Sequence, residues 1–155
     1  MKYRAAFVAT SIVAKALLAP ATAWALDASM LAGDWLAPAE DANDVEAVIT
    51  LAPKGDTWIG YIKAIRETRP DQIWHDGTPC THCPGATKRH LLKGLQVIWD
   101  LREQRGTWVS GRMLDPSDGQ VYDCAIALSD DTKTIKVTAY KGLKLFGRTL
   151  IWQRP

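Results

Sequence analysis

The sequence predicts an all-β protein, an up-and-down antiparallel barrel of about eight short strands with one long loop. From residue 44 onward, short runs of alternating apolar and polar residues are separated by Gly, Pro, Asp and Lys. No helix of useful length is evident between residues 44 and 155. Because the runs follow one another at near-regular spacing, we expect a meander, and closing it into a barrel removes the exposed strand edges.

The first 25 residues are predicted to be a signal peptide. Lys2 and Arg4 precede an apolar region, and Ala23-Trp24-Ala25 has the small-residue pattern of a cleavage site. A lysine and a proline interrupt the apolar region, whereas an uncleaved membrane anchor needs about 20 apolar residues. We therefore expect the mature chain, residues 26–155, to be a single barrel domain that is periplasmic or secreted, with no membrane span after cleavage.

The charge of the mature chain gives no indication of nucleic-acid binding. The sequence contains 19 Lys and Arg residues and 17 Asp and Glu residues. Three of the basic residues lie in the predicted signal peptide, so that 16 basic residues face 17 acidic ones after cleavage. A nucleic-acid-binding domain is expected to carry a basic face, and a net charge near −1 does not predict one.

Eight segments have the composition and the period of strands. Gly33-Asp34-Trp35 lies in the first, and the next two form a hairpin around Pro53–Asp56. The strongest turn signal is Asp115–Gly119, in which proline fixes φ at the second position and glycine supplies a positive φ at the exit. The predicted strands are 31–36, 45–51, 58–66, 94–101, 107–114, 120–128, 134–141 and 145–154.

Residues 67–93 are predicted to form the long loop. The segment contains three prolines and two glycines and has no sustained period. Loops of this length without structure of their own are uncommon. We therefore expect either a functional lid or an ordered loop held by a local staple, for which Cys80-Thr81-His82-Cys83 is the candidate.

The three cysteines, Cys80, Cys83 and Cys124, are the disulfide candidates. An exported chain meets an oxidising compartment, so that one bridge and one remaining thiol are expected. A Cys80–Cys83 bridge closes a tight ring. A bridge from either residue to Cys124 instead pins the long loop to the sheet and closes a larger loop. The sequence leaves the connectivity open.

A metal or redox site in the long loop is the alternative use of these cysteines. Thiolate and imidazole groups at short spacing bind zinc or copper. Pro84 follows Cys83 where a haem c attachment site has histidine, and proline there opposes the helix of a thioredoxin-like site. We expect no metal or cofactor, and the residues of the alternative site are His75, Cys80, His82, Cys83 and His90.

The C-terminal third of the chain resembles a bacterial envelope family called domain of unknown function 2147. The resemblance also includes Gly33-Asp34-Trp35, the Cys80/Cys83 pair and Gly94-Leu95, so that it covers nearly the whole mature chain. It implies a small exported protein with a lipocalin-like fold, in a family with no established common activity. The residues that carry it most specifically are Asp115-Pro116, Gly119, Tyr122, Cys124, Gly142, Phe146-Gly147-Arg148-Thr149 and Trp152.

The lipocalin likeness implies structural roles for Trp35 and Arg148, and Gly33 and Trp152 of the family pattern are expected to be structural residues as well. In such barrels a tryptophan from the first strand packs under an arginine from near the last strand and closes one end. The matching pair here is Trp35 and Arg148. Stacking of a guanidinium on an indole contributes roughly 0.5–2 kcal/mol, depending on desolvation.

The expected function is binding of a small apolar or amphipathic ligand inside the barrel. Trp58, Trp99 and Trp108 are the candidate lining residues, because aromatic side chains commonly line apolar pockets. We predict no enzyme, since the sequence shows no paired carboxylates in a glycosidase context, no Gly-x-Ser-x-Gly and no Gly-rich phosphate loop. The alternative is an envelope structural or interaction protein with a filled barrel.

Overall fold

The computed structural model describes residues 28–39 and 46–155, which form one closed antiparallel barrel with its eight strands in chain order. The predicted up-and-down barrel is confirmed. The predicted signal peptide lies outside the described residues. The strands are β1 (Gly33–Ala37), β2 (Ala47–Lys54), β3 (Thr57–Ile65), β4 (Gln96–Gln104), β5 (Thr107–Leu114), β6 (Val121–Leu128), β7 (Thr134–Tyr140) and β8 (Arg148–Gln153).

Three short 3-10 helices accompany the strands: Ala28–Leu31, Gly85–Thr87 and Lys144–Phe146. The last of these replaces the first residues of the predicted final strand, so that β8 begins at Arg148. Within the described part of the chain, no helix is long and apolar enough to cross a membrane.

The barrel has two different ends. At the first, called the closed end below, the 3-10 helix Ala28–Leu31 lies beside the tight turns that join β2 to β3, β4 to β5 and β6 to β7. At the second, called the open end, the connections that lie wholly within the described residues are 66–95, 115–120 and 141–147. These three connections therefore surround the mouth of the barrel at this end.

Side chains fill the closed half of the barrel. Trp58 and Trp108 pack edge to face, with ring centroids 6.0 Å apart and an interplanar angle of 78°. Leu31, Leu51 and Leu101 are fully buried in the same core. An aromatic pair of this geometry contributes about 0.5–1.5 kcal/mol beyond the burial of its surface.

A bulge in β5 interrupts the period of two. The β5–β6 register shifts between Trp108 and Gly111, and Ser110 between them has φ of 58°. Strict alternation would put Trp108 and Gly111 on opposite faces of the strand, yet both are buried. The extra residue is what turns Trp108 inward while keeping the rest of β5 in register.

Candidate functional site

A cleft of about 100 Å³ opens at the open end, between the strand ends and the long loop. The described residues that line it are apolar except for Asp115 and Ser117, which lie at its rim. Trp74 and Leu92 of the long loop cover it from above. The other lining residues come from the strands and the 115–120 turn: Ala37, Pro38, Ala47, Ile49, Ile62, Ile65, Val97, Met113, Leu114, Pro116, Leu150 and Trp152.

The long loop is ordered by its own backbone pairing and by one disulfide. Pro79 and Leu91 form an isolated antiparallel bridge. The Cys80 amide donates to the carbonyl of His90 at 2.8 Å, and the Arg89 amide donates to the carbonyl of Cys80 at 2.8 Å. Cys80 and Cys83 are bonded, with Cα atoms 5.5 Å apart. The predicted local staple is therefore confirmed.

Gln72 positions Trp74 over the cleft. Its side chain is buried, and its amide nitrogen donates to the carbonyls of Arg66 at 3.0 Å and Trp74 at 2.5 Å. Its side-chain oxygen accepts from the Thr68 amide at 3.1 Å. Burying an amide costs free energy unless it is hydrogen-bonded. Because the Gln72 amide has hydrogen-bond partners for both its nitrogen and its oxygen, it holds this part of the loop in one conformation. Sequence reasoning missed Gln72, since nothing in its neighbourhood distinguishes it from a surface glutamine.

Asp76, inside the long loop, links the end of β3 to Lys93 near the end of the loop. One carboxylate oxygen accepts from the Ile65 amide at 2.7 Å, and the other accepts from Lys93 Nζ at 2.9 Å. These two bonds, the backbone one foremost, lower the pKa of Asp76 below its ordinary value. Both attachments favour the ionised carboxylate.

The loop also packs closely on the turn between β5 and β6. Cys80 Sγ lies 3.6 Å from the carbonyl oxygen of Pro116. Gly119 has φ of +72°, and a Cβ at this position would overlap the carbonyl oxygen of His82. The glycine of the strongest predicted turn is therefore required both by the turn and by the approach of the loop.

The rim of the cleft carries charge, and one of its lining residues has a buried hydrogen-bond donor. Asp115 accepts hydrogen bonds from the amide and the hydroxyl of Ser117, at 2.9 and 2.6 Å. Its second oxygen lies 3.4 Å from Arg148 Nη2. Trp152 lines the cleft, and its buried Nε1–H has no hydrogen-bond acceptor among the described residues.

The structure pairs Trp35 with Arg154, so that the predicted Trp35–Arg148 pair is wrong. Arg154 Cζ lies 3.8 Å from the centroid of the Trp35 ring. The cause is the register of the barrel seam, in which Leu36 pairs with Gln153 and Trp35 thus stands opposite Arg154. Arg148 lies six residues earlier along the chain, a separation of roughly 20 Å in an extended strand.

Gly33 lies against the Arg154 guanidinium, where a side chain would not fit. Its φ is +109°, and a Cβ there would lie 2.8 Å from Arg154 Nη1. The Trp35 indole N–H donates to the carbonyl of Leu31 at 2.9 Å. Glycine, indole and guanidinium therefore close this end of the barrel together.

The three predicted lining tryptophans, Trp58, Trp99 and Trp108, do not line the cleft. Trp58 and Trp108 lie in the filled closed half, and Trp99 is half-buried in a separate surface depression beside Val121. Trp74 and Trp152 line the cleft instead. Trp58 and Trp108 do face the interior, but they lie at the opposite end of the barrel from the cleft, and alternation along a strand shows neither the end nor the inward face.

Cys124 is a buried free thiol in β6. Burial in apolar surroundings raises its pKa to about 12. The bridge from the loop to Cys124 that the sequence left open does not form, because Cys80 and Cys83 bond each other.

The histidines of the long loop stand apart from the cleft lining and have local partners. His75 Nδ1 lies 3.1 Å from a Glu67 oxygen, and His82 Nδ1 lies 3.5 Å from the Thr81 hydroxyl. The backbone carbonyl of His90 accepts a hydrogen bond from the Cys80 amide. Across residues 28–39 and 46–155, no three His, Cys, Asp or Glu side chains are grouped so as to hold a metal ion.

Comparison with known proteins identifies the family. A family described as "Uncharacterized protein conserved in bacteria (DUF2147)" matches residues 33–154. The chain belongs to the DUF2147 family. No curated protein matches this DUF2147 chain significantly.

The fold of the DUF2147 chain is similar to that of a solved lipocalin. Protein HP1028 from Helicobacter pylori, described as belonging to the lipocalin family, is 16% identical to it with a TM-score of 0.68. The similarity covers 81% of this chain and 82% of that one. At this identity the likeness shows the fold, and it confirms the predicted lipocalin-like barrel.

Proposed function

We propose that this DUF2147 protein is an exported lipocalin-like protein that binds a small apolar or amphipathic ligand in the cleft at the open end. The observation that carries the proposal is the cleft itself, lined by apolar side chains and covered by Trp74 and Leu92. Ligand sites are typically concave and apolar, with a few polar groups that fix orientation. The cleft has this composition.

The volume of the cleft limits the ligand to one ring or one short alkyl chain. Pockets for drug-sized ligands enclose about 300–1,000 Å³, whereas this cleft encloses about 100 Å³. An engineered apolar cavity of about 150 Å³ binds benzene. We therefore propose that a larger ligand places one apolar group in the cleft and leaves the rest outside.

The polar groups of the site suit the head of an amphipathic molecule. Asp115, Ser117 and Arg148 lie where such a head would meet solvent. An oxygen of the ligand that reached Trp152 would also satisfy its unused N–H, and leaving a buried donor without a partner costs about 1–3 kcal/mol.

The proposed location is the periplasm or the extracellular medium. The N-terminal sequence has the pattern of a signal peptide. The Cys80–Cys83 disulfide is of a kind that persists in oxidising compartments. Both observations support export.

The test is a fluorescence titration of the mature chain with medium-chain fatty acids and fatty alcohols, because Trp74 and Trp152 line the cleft. Ala47→Leu fills the cleft from β2 and should weaken binding at least about tenfold, the loss expected when roughly 1.4 kcal/mol of apolar contact is removed. Ala64→Leu is the matched control, since Ala64 is also half-buried but does not line the cleft. Unchanged affinity in Ala47→Leu, or no binding by the wild type, would overturn the proposal.

The second candidate is an envelope structural or interaction protein that acts through its outer surface. The filled closed half of the barrel favours it, because Trp58, Trp108 and the leucines around them leave no lumen at that end. This candidate would be supported if the wild type binds none of the probes above and if substitutions of its surface residues abolish its activity in cells.

A further inference from the structure

The loop that joins β7 to β8 at the open end displays large apolar side chains in solvent. Leu143 is 69% exposed, Leu145 is 87% exposed and Phe146 is 79% exposed. Single apolar residues on a surface are normal, but a cluster at one hairpin tip is not, since large apolar side chains are generally buried and exposed clusters mark interaction sites. Residues 141–147 are called the apolar tip below.

The exposure follows from the ordered conformation of the tip. The Phe146 amide donates to the carbonyl of Leu143 at 3.1 Å, and the Gly147 amide donates to the carbonyl of Lys144 at 3.0 Å. The bonds close the 3-10 turn Lys144–Phe146. The turn thus holds the three apolar side chains outward, where they do not pack on the barrel.

The charged residues within the tip segment are all basic, and acidic residues of the neighbouring turn lie only at its base, where Asp115 pairs with Arg148. Residues 141–148 read KGLKLFGR, with three basic residues and no acidic one, whereas the mature chain as a whole is slightly acidic. Lys141 is held at the base of the tip, where Nζ donates to Gln120 Oε1 at 2.8 Å and lies 4.9 Å from the centroid of the Tyr122 ring. The apolar side chains are therefore flanked in sequence by basic residues, of which Lys141 and Arg148 have contacts at the base of the tip.

We propose that the apolar tip docks on the surface of a phospholipid bilayer that contains anionic lipid. The apolar side chains enter the boundary between headgroups and acyl chains, and the cations lie at the level of the phosphates. This occupant fits the charge as well as the apolar surface, because anionic headgroups complement a segment that has only basic residues. Docking needs no helix that spans the membrane.

The position of the tip gives the docking a consequence for the cleft. Arg148, where the tip ends, pairs with Asp115 at the cleft rim. The exposed side chains of Ile73 and Leu91 in the long loop lie at the same end. A barrel docked through the tip therefore turns the mouth of its cleft toward the bilayer. The docking itself does not depend on ligand binding, so the two are tested separately.

The experiment is flotation of the mature chain with vesicles of phosphatidylethanolamine and phosphatidylglycerol, and with vesicles of phosphatidylcholine alone. The wild type should float with the anionic vesicles, and less with phosphatidylcholine. The double variant Leu145→Ser, Phe146→Ser should bind the anionic vesicles at least about tenfold more weakly, because the two apolar side chains no longer enter the interface. Lys144→Glu should reduce binding to anionic vesicles and leave binding to phosphatidylcholine unchanged.

Met30→Ser is the matched control, because Met30 is an exposed apolar residue at the closed end. It should bind vesicles as the wild type does, and the fatty-acid titration should be unchanged in all three variants. Absence of wild-type flotation, or equal flotation of the double variant, overturns the proposal. The same holds if the tip residues prove necessary only for self-association in gel filtration, a result that would assign the surface to a protein partner.

Discussion

Replacing Arg154 with alanine should destabilise the barrel far more than replacing Arg148. Arg154 Cζ lies 3.8 Å from the Trp35 ring centroid, a contact that contributes about 0.5–2 kcal/mol. Its guanidinium also donates to the carbonyl of Ala32 at 3.0 Å and to that of Met30 at 2.6 Å. Hydrogen bonds from a charged donor contribute about 1.5–3 kcal/mol each, and less where water competes.

Desolvation offsets part of this gain. Burial lowers the pKa of the Arg154 guanidinium below its ordinary value, and the Asp34 carboxylate acts against that shift. Because the hydrogen bonds are only partly shielded from water, we take the low end of each contribution. We therefore expect Arg154→Ala to lower the free energy of unfolding by about 3 kcal/mol.

Arg148→Ala is the internal control for this prediction. Arg148 pairs with Asp115 at 3.4 Å, and its side chain is 47% exposed. Exposed ion pairs contribute about 0–1 kcal/mol. The assay is urea unfolding of the mature variants, followed by tryptophan fluorescence. Equal losses in the two variants, or a larger loss in Arg148→Ala, would show that the closed end is not held as described.

Three further predictions concern the long loop, the stability of the fold at acidic pH and the free thiol. Gly119→Ala should lower the melting temperature more than Gly142→Ala, because both have positive φ but only Gly119 has a backbone oxygen where the Cβ must go. Thermal unfolding of the pair measures the difference. Because folding lowers the pKa of Asp76, its ionised carboxylate stabilises the folded state at pH values above its unfolded pKa of about 3.9. This stabilisation is lost as the pH falls through the lower pKa of the folded state. Asp76→Asn should therefore flatten the pH dependence of stability in that acid range, as urea titrations below about pH 4 would show. Cys124, whose pKa burial raises to about 12, should not react with a disulfide reagent at neutral pH in the folded chain. One thiol per chain should appear after unfolding without reductant, and three would contradict the Cys80–Cys83 bridge.

The barrel was predictable because its evidence is local. Alternation along the strands, the Asp115–Gly119 turn and the short hairpins each depend on neighbouring residues. The order of the strands then followed from the shortness of their connections. The disulfide was also predicted as a local staple, although its connectivity depended on where β6 places Cys124.

The errors concern contacts between distant segments. The pairing of Trp35 with Arg154 depends on the register in which β8 meets β1, and no local pattern contains that register. Arg148 and Arg154 have the same parity along the last strand, so alternation allows either to face inward. The antiparallel arrangement would have distinguished them, since the end of the last strand lies beside the start of the first.

The lining of the cleft was missed for a similar reason. Trp58 and Trp108 lie at strand ends that form the closed half, and the bulge at Ser110 changes which residues of β5 face inward. Trp74 belongs to a segment without period, so that only tertiary structure, through Gln72, brings it over the cleft. Such placements result from packing and have no signature in a single sequence.

Methyl NMR during a titration with decanoate tests the proposed cleft most directly. Ile62, Ile65 and Leu150 line the cleft, whereas Leu51 and Leu101 are buried in the filled half. Binding in the cleft should move the methyl resonances of the first three residues in a saturable way and leave those of the two leucines in place. Resonances that stay unchanged up to the solubility limit of decanoate, or that move only at Leu51 and Leu101, would contradict a ligand site at the open end.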